Sequence, residues 1–269
     1  MCIRDRAKDI SHVTVSLGAA TAEEGNKPTA AKPLRIALIG HNGINSRQAD
    51  YCCAAFQKQL KAVLENKAQY GFTKEETPFV EFITPLAPGS DIVLARSVVK
   101  METLSELVTG YRLTVPMAVP WDEVDEDFRG HWQNENVFDK KLPDPGNEED
   151  RDWKWKACKE QLVNIREKLI DQIQADEQTV NIVNLMPEGN DILTNHQGYI
   201  EQAKWMVDQA DVLIAVLDST RKREQPGEWS SGGTGVTVAQ WNADAAEDAG
   251  TKHKAFAVEI NPDFSGNAA

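Results

Sequence analysis

From Leu34 onward, short apolar runs rich in branched side chains alternate with segments in which apolar residues recur every third or fourth position. The first pattern suits a strand buried on both faces, the second an amphipathic helix. Their alternation specifies stacked βα units, because parallel strands need a crossover long enough to hold a helix. The first run is LRIALIG, ending at Gly40, and Cys52, Phe56, Leu60, Val63 and Leu64 then fall on one helical face. FVEFITPL (79–86) reads as the second strand, and PGSD opens a helix through Val99. RLTVPMAV, ending before Pro120, is the third strand, and a helix with Cys158, Leu162, Ile165, Leu169 and Ile173 on one face follows. The strand TVNIVNLM, a helix with Tyr199, Ala203, Met206 and Ala210 inward, the strand DVLIAVLD, an Ala-rich helix and the strand KAFAVEI complete the chain. The expected fold is a single α/β domain, Rossmann-like and doubly wound, with a mostly parallel sheet of about six strands.

Residues 1–33 are polar, small and punctuated by proline (GNKPTAAKP) and read as a mobile tail. Their start lacks the long apolar centre of a signal peptide and carries no weight in the functional reading. Residues 34–269 form the expected domain, and 41% hydrophobic content is enough for one core. Residues 120–156 break the rhythm with twelve acidic and six basic residues and four of the seven tryptophans. This insertion is either a solvated excursion pinned by its tryptophans or a lid or partner-binding loop leaving the third strand.

Acidic side chains outnumber basic ones, 42 to 29, for a formal net charge of −13. Such a surface repels polyphosphate backbones, so nucleic acid is excluded as a partner, although backbone amides can still hold a small anion locally. No apolar run approaches the ~18 residues of a membrane helix, so the expectation is a cytoplasmic protein without membrane contact. The four cysteines have no CxxC spacing and read as reduced thiols.

In an open parallel sheet, ligands bind outside the carboxyl ends of the strands, so the loops there are the candidate site. The run Trp229 to Thr237 (WSSGGTGVT) lies between a strand ending in Asp218 and a helix. Its glycines, Gly232, Gly233 and Gly235, let backbone approach a ligand, and the helix N-terminus favours a phosphate or carboxylate. Ser231, Thr234 and Thr237 can add hydroxyls, either to a ligand or as caps of a tight turn. Gly40-His41-Asn42-Gly43 follows the first strand, where His41 could bond a phosphate, ribose or base, or simply sit in a structural turn. In Pro88-Gly89-Ser90-Asp91, Gly89 permits a sharp turn and Asp91 can cap the next helix. Asp218 could accept a bond from a ribose hydroxyl. The glycine run is neither GxGxxG nor GxxxxGK[ST], and no GxSxG or HExxH occurs, so no metal or cofactor is assigned.

Together, GHNG after the first strand, PLAPGSDIVLAR, PWDEVDEDF, ADVLIAVLDS and SSGGTG occur in an order that resembles the LOG-like (SLOG) superfamily of Rossmann-type domains. The nearest likeness is its bacterial branch of sensors for nucleotide-derived ligands, over residues 34 to 260. The resemblance implies a nucleotide-like ligand over the strand ends, at Gly40, His41, Gly89, Asp91, Asp218, Gly232, Gly233 and Thr234. Asn42 stands where the family has Arg, and Leu217 and Ser219 replace Trp and Gly around Asp218.

Enzymatic members of the superfamily, which cleave a base from a nucleoside monophosphate, carry P-G-G-x-G-T-x-x-E. Here Val236 stands at the Thr position and Ala239 at the Glu position, with Gln240 beside it. An amide can neither act as a carboxylate base nor stabilise an oxocarbenium ion by charge. The expected function is therefore binding or sensing of a nucleotide or an NAD- or ADP-ribose-like ligand. The alternative is an N-glycosidic hydrolase or deoxyribosyltransferase-like enzyme, with Asp91 or Asp218 as the carboxylate. Since the chain shows no effector of its own, a separate effector protein or a second copy of the chain is the further partner expected.

Overall fold

The computed structural model describes residues 32–41, 46–87, 89–118, 168–173, 175, 179–185, 195–217, 233–247 and 257–262, with backbone alone at 46–47 and 195–196. The elements in chain order are β1 (Leu34–Gly40), α1 (Ser46–Glu65), β2 (Phe79–Ile83), α2 (Ser90–Val99), the short α3 (Leu104–Leu107), β3 (Gly110–Met117), β4 (Thr179–Asn184), α4 (Asn195–Gln209), β5 (Val212–Val216), α5 (Thr234–Glu247) and β6 (Val258–Ile260). The described residues build one six-stranded sheet in the order β4-β3-β2-β1-β5-β6, and every pairing is parallel. This is the doubly wound α/β fold that the alternating pattern specifies.

Alternation along β1 assigns the two faces. Leu34, Ile36 and Leu38 join Phe56 and Leu60 of α1 and Leu94 and Val98 of α2 in one buried cluster. Ala37 and Ile39 join Met206 and Val207 of α4 and Val238 and Trp241 of α5 in the other. Right-handed crossovers explain the division: steps from β1 towards β4 place helices on one face, and the step from β5 to β6 places them on the other. The predicted stripe on α1 is realised, since Cys52, Phe56, Leu60, Val63 and Leu64 are all buried. Of the helix expected to carry Cys158, the described turn at 168–173 buries Leu169 and Ile173. Each large side chain so buried contributes about 1.5–3 kcal/mol relative to exposure.

Strand ends differ from the sequence pattern for identifiable reasons. β2 stops at Ile83 rather than at residue 86, because Leu86 is buried with φ 55° and its N–H turns back to Thr84 Oγ1 at 3.3 Å. β3 begins at Gly110, two residues earlier than expected, because Gly110 and Tyr111 pair with Phe79 and Val80. Pro116 costs the sheet no ladder bond: pairing with β2 ends at Thr114, and Gln202 of α4 donates to the Pro116 carbonyl at 2.6 Å. The unit that contains the sheet begins at Lys32, whose ammonium meets Asp211 at 2.8 Å.

A charged cluster spans the amino ends of three strands. Glu81 of β2 is aligned with Arg35 of β1 and Arg112 of β3. Its carboxylate accepts from Arg35 Nε at 3.2 Å, Arg112 Nη2 at 2.7 Å and Thr114 Oγ1 at 2.6 Å. Burial pushes the Glu81 pKa up, but the hydrogen bonds from Arg112 and Thr114, with the charges of Arg112 and Arg35, outweigh it and hold the carboxyl below its ordinary value. The cluster is polar glue at the pole of the sheet opposite the strand carboxyl ends.

Candidate functional site

The order of strands reverses between β1 and β5: from β1 the chain steps outward to β4, then returns to lay β5 on the other side of β1. The loops leaving β1 and β5 therefore diverge to opposite faces and open a crevice between them, which is where ligands bind in sheets of this kind. Gly40 pairs with Val216 at this point, and His41 N–H donates to the Val216 carbonyl at 3.3 Å.

The start of α2 closes onto the same point. Ser90 donates both its N–H (3.2 Å) and its hydroxyl (2.7 Å) to the His41 carbonyl. A Cβ built on Gly40 would lie 2.3 Å from Ser90 Cβ, so only glycine lets α2 approach this closely. Gly89 precedes the helix with φ 97°, a conformation open to glycine and strained for other residues. The structure thus brings Gly40, His41, Gly89, Ser90 and Asp91 into one constellation. Ser90 is the member that the sequence did not single out. The cap of α2 is Gly89, with no side-chain cap bond, and Asp91 lies inside the first turn rather than capping it.

That position of Asp91 bears on what the crevice can bind. Asp91 is 3% exposed and lies in the first turn of α2, so that helix end already has a carboxyl group of its own. The first turn of α5 contains no acidic residue. A right-handed β5-α5-β6 crossover also sets the N-terminus of α5 on the carboxyl side of the sheet. Gly233 leads into that helix, and Thr234 and Gly235, both partly exposed, form its first turn. Thr237 is buried, and its hydroxyl donates to the Gly233 carbonyl at 3.0 Å, beside the backbone bond from Thr237 N–H at 3.1 Å. Its proton is used in fixing the start of the helix. One turn on, Ala239 offers no functional group, and Gln240 donates to Asp244 Oδ1 at 2.6 Å. Asn42, Asp218, Ser231 and Gly232 lie outside the described residues, as does the 120–156 insertion.

Groups elsewhere are placed for structure. Cys52 and Cys53 are free thiols; burial, with Cys53 beside it, pushes the Cys52 pKa up to about 12. A recess of about 250 Å³ lined by Val98, Met101, Leu104, Val108 and Tyr111 lies at the amino end of β3, remote from the crevice. Among the described residues no group of three His, Cys, Asp or Glu side chains is placed to hold a metal ion. Also among them, no helix is long and apolar enough to cross a membrane. No protein-family model matches the chain, and no curated protein matches it.

Proposed function

We propose that this chain binds a nucleotide or nucleotide-derived ligand, of NAD or ADP-ribose type, across the carboxyl ends of β1 and β5, as a cytoplasmic sensor domain of the LOG-like kind. The observation that carries the reading is the difference between two helix starts, one with an acidic residue in its first turn and one without. The acid-free start of α5, led by Gly233, suits a phosphate, whereas buried Asp91 at α2 suits the hydroxyls of a ribose. His41, partly exposed beside the start of α2, carries an imidazole whose chemistry suits phosphate, ribose or base. The test is a thermal-shift panel of NAD, ADP-ribose, cyclic nucleotides and nucleoside monophosphates. A ligand held at about a hundredfold above its Kd stabilises the folded state by ~2.7 kcal/mol. A selective shift supports the reading, and no shift with any member sinks it.

A second reading, glycosidic cleavage of a nucleoside monophosphate or transfer of its sugar, is favoured by one observation only: Asp91 is a buried carboxylate at the crevice. Ala239 and the engagement of Gln240 with Asp244 weigh against it. Chromatography of the panel samples for released base separates the two. Free base that disappears in Asp91→Asn would establish cleavage.

A further inference from the structure

Among the described residues Leu86 is the sole non-glycine residue with a positive φ, at 55°. A Cβ makes the left-handed region costly, and strain of this kind persists only where the surroundings enforce it. Leu86 lies between β2 and α2, and Gly89, with φ 97°, follows it just before Ser90. Two of the three positive φ values among the described residues therefore fall in one short loop that leads into the Ser90 junction.

Both ends of that loop are tied. Thr84 N–H donates to the Thr114 carbonyl of β3 at 3.0 Å, and Thr84 Oγ1 accepts from Leu86 N–H at 3.3 Å. At the other end Ser90 holds the His41 carbonyl through its N–H and its hydroxyl. Between them the Leu86 side chain is fully buried, in one apolar cluster with Phe56 of α1 and Ile92 and Leu94 of α2. Burial favours the strained turn, because rotating φ away from 55° swings the Cα–Cβ bond and with it the side chain's place in the core. A glycine here would adopt the turn without strain but would leave it unanchored. We infer that Leu86 is a positioning residue for the crevice: its buried side chain latches the β2–α2 loop in a strained turn, and the latch sets Ser90 against the His41 carbonyl. The consequence for binding rests on the ligand reading proposed above. A junction set before a ligand arrives spares binding the cost of ordering it, so loosening the latch should weaken affinity.

Amide hydrogen exchange of the unliganded full chain, read by NMR, tests the latch itself. Leu86→Ala deletes the anchor and keeps the Cβ that strains the turn, whereas Leu86→Gly deletes both. Exchange at Ser90 N–H should rise about tenfold in Leu86→Ala and by less in Leu86→Gly. A leucine that only filled the core would give the reverse order, because glycine removes more apolar surface and frees more backbone. Ser90 exchange equal in wild type and Leu86→Ala, or faster in Leu86→Gly than in Leu86→Ala, overturns the latch. Thr84→Val removes the acceptor of the Leu86 N–H and keeps the core leucine, so it decides the matter if a leucine variant does not fold. Faster Ser90 exchange is expected there too, and exchange equal to wild type overturns the latch. ADP-ribose is then titrated calorimetrically into each folded protein. Affinity that falls in the same order, about tenfold for Leu86→Ala, supports the positioning role, and equal affinity in wild type and Leu86→Ala overturns it. A wild type that does not bind ADP-ribose counts against the ligand reading, while the exchange ranking still decides the latch.

Discussion

Ser90 fills the space that a side chain on residue 40 would need. A Cβ at Gly40 would stand 2.3 Å from Ser90 Cβ and 2.8 Å from Val216 Cβ, while Ser90 Oγ holds the neighbouring His41 carbonyl at 2.7 Å. The end of β1, the start of α2 and the end of β5 thus form one rigid junction on the floor of the crevice. Contacts this short with two Cβ atoms cannot be relieved by swinging a flexible side chain. Gly40→Ala should therefore destabilise the fold by about 1–3 kcal/mol in urea unfolding. Ser90→Gly in the Gly40→Ala background should recover part of that loss. Strictly additive costs for the two substitutions would show that Gly40 and Ser90 are not coupled.

The Glu81 cluster makes stability depend on pH in a defined direction. Its folded-state pKa is lowered, so its stabilisation is complete above the unfolded value of ~4.3 and is lost as pH falls through the folded value. Glu81→Gln keeps the shape and removes the charge. Arg35 and Arg112 are each about one-third exposed and stay partly solvated, so the expected cost at pH 7 is about 1–3 kcal/mol. The difference between wild type and variant should shrink from pH 5 downward. A difference that stays constant to pH 3 would show that the carboxylate charge contributes nothing.

The adjacent thiols should differ in reactivity. Cys52 is fully buried in the core under α1, and its pKa is pushed up to about 12, which leaves almost no thiolate at pH 8. Cys53 is partly exposed and accepts a hydrogen bond from Ser97 at 3.0 Å. Brief iodoacetamide treatment of the native protein, read by peptide mass spectrometry, should label Cys53 well ahead of Cys52. Equal labelling would mean that α1 opens readily from the sheet.

The elements were legible because β5, and β1 from Ile36 onward, are buried on both faces and read as unbroken apolar runs, and because the α1 stripe keeps a strict helical spacing. Strand ends were not, because they depend on a neighbour's length: Gly110 is in β3 only because Phe79 stands opposite. Leu86 has an ordinary strand side chain, and nothing local reveals that its backbone turns to φ 55°. Within the site, the glycines and His41 could be found as loop residues after strands. Ser90 could not, since its partner lies 49 residues away and is a carbonyl, which carries no sequence signal. Thr237 reads as a free hydroxyl in sequence, yet its spacing of four from Gly233 is the separation at which a helical threonine bonds back to a carbonyl.

Gly233 offers the sharpest separation of binding from folding. Among the described glycines only Gly71 and Gly89 have positive φ, so a side chain at Gly233 meets no backbone penalty of that kind. The two bonds its carbonyl accepts from Thr237 involve backbone oxygen and survive any substitution. A large side chain there would stand before the first turn of α5 and fill the space assigned to phosphate. Gly233→Trp should therefore leave the unfolding free energy within about 0.5 kcal/mol of wild type. It should weaken the panel member that gives the largest thermal shift by at least about tenfold, or 1.4 kcal/mol, in calorimetric titration. The same exchange at Gly89 is the contrasting control, because φ 97° makes any side chain strained there and stability should fall with affinity. Unchanged affinity in a folded Gly233→Trp protein would remove the start of α5 from the site and leave the Gly40–Ser90 junction to account for binding alone.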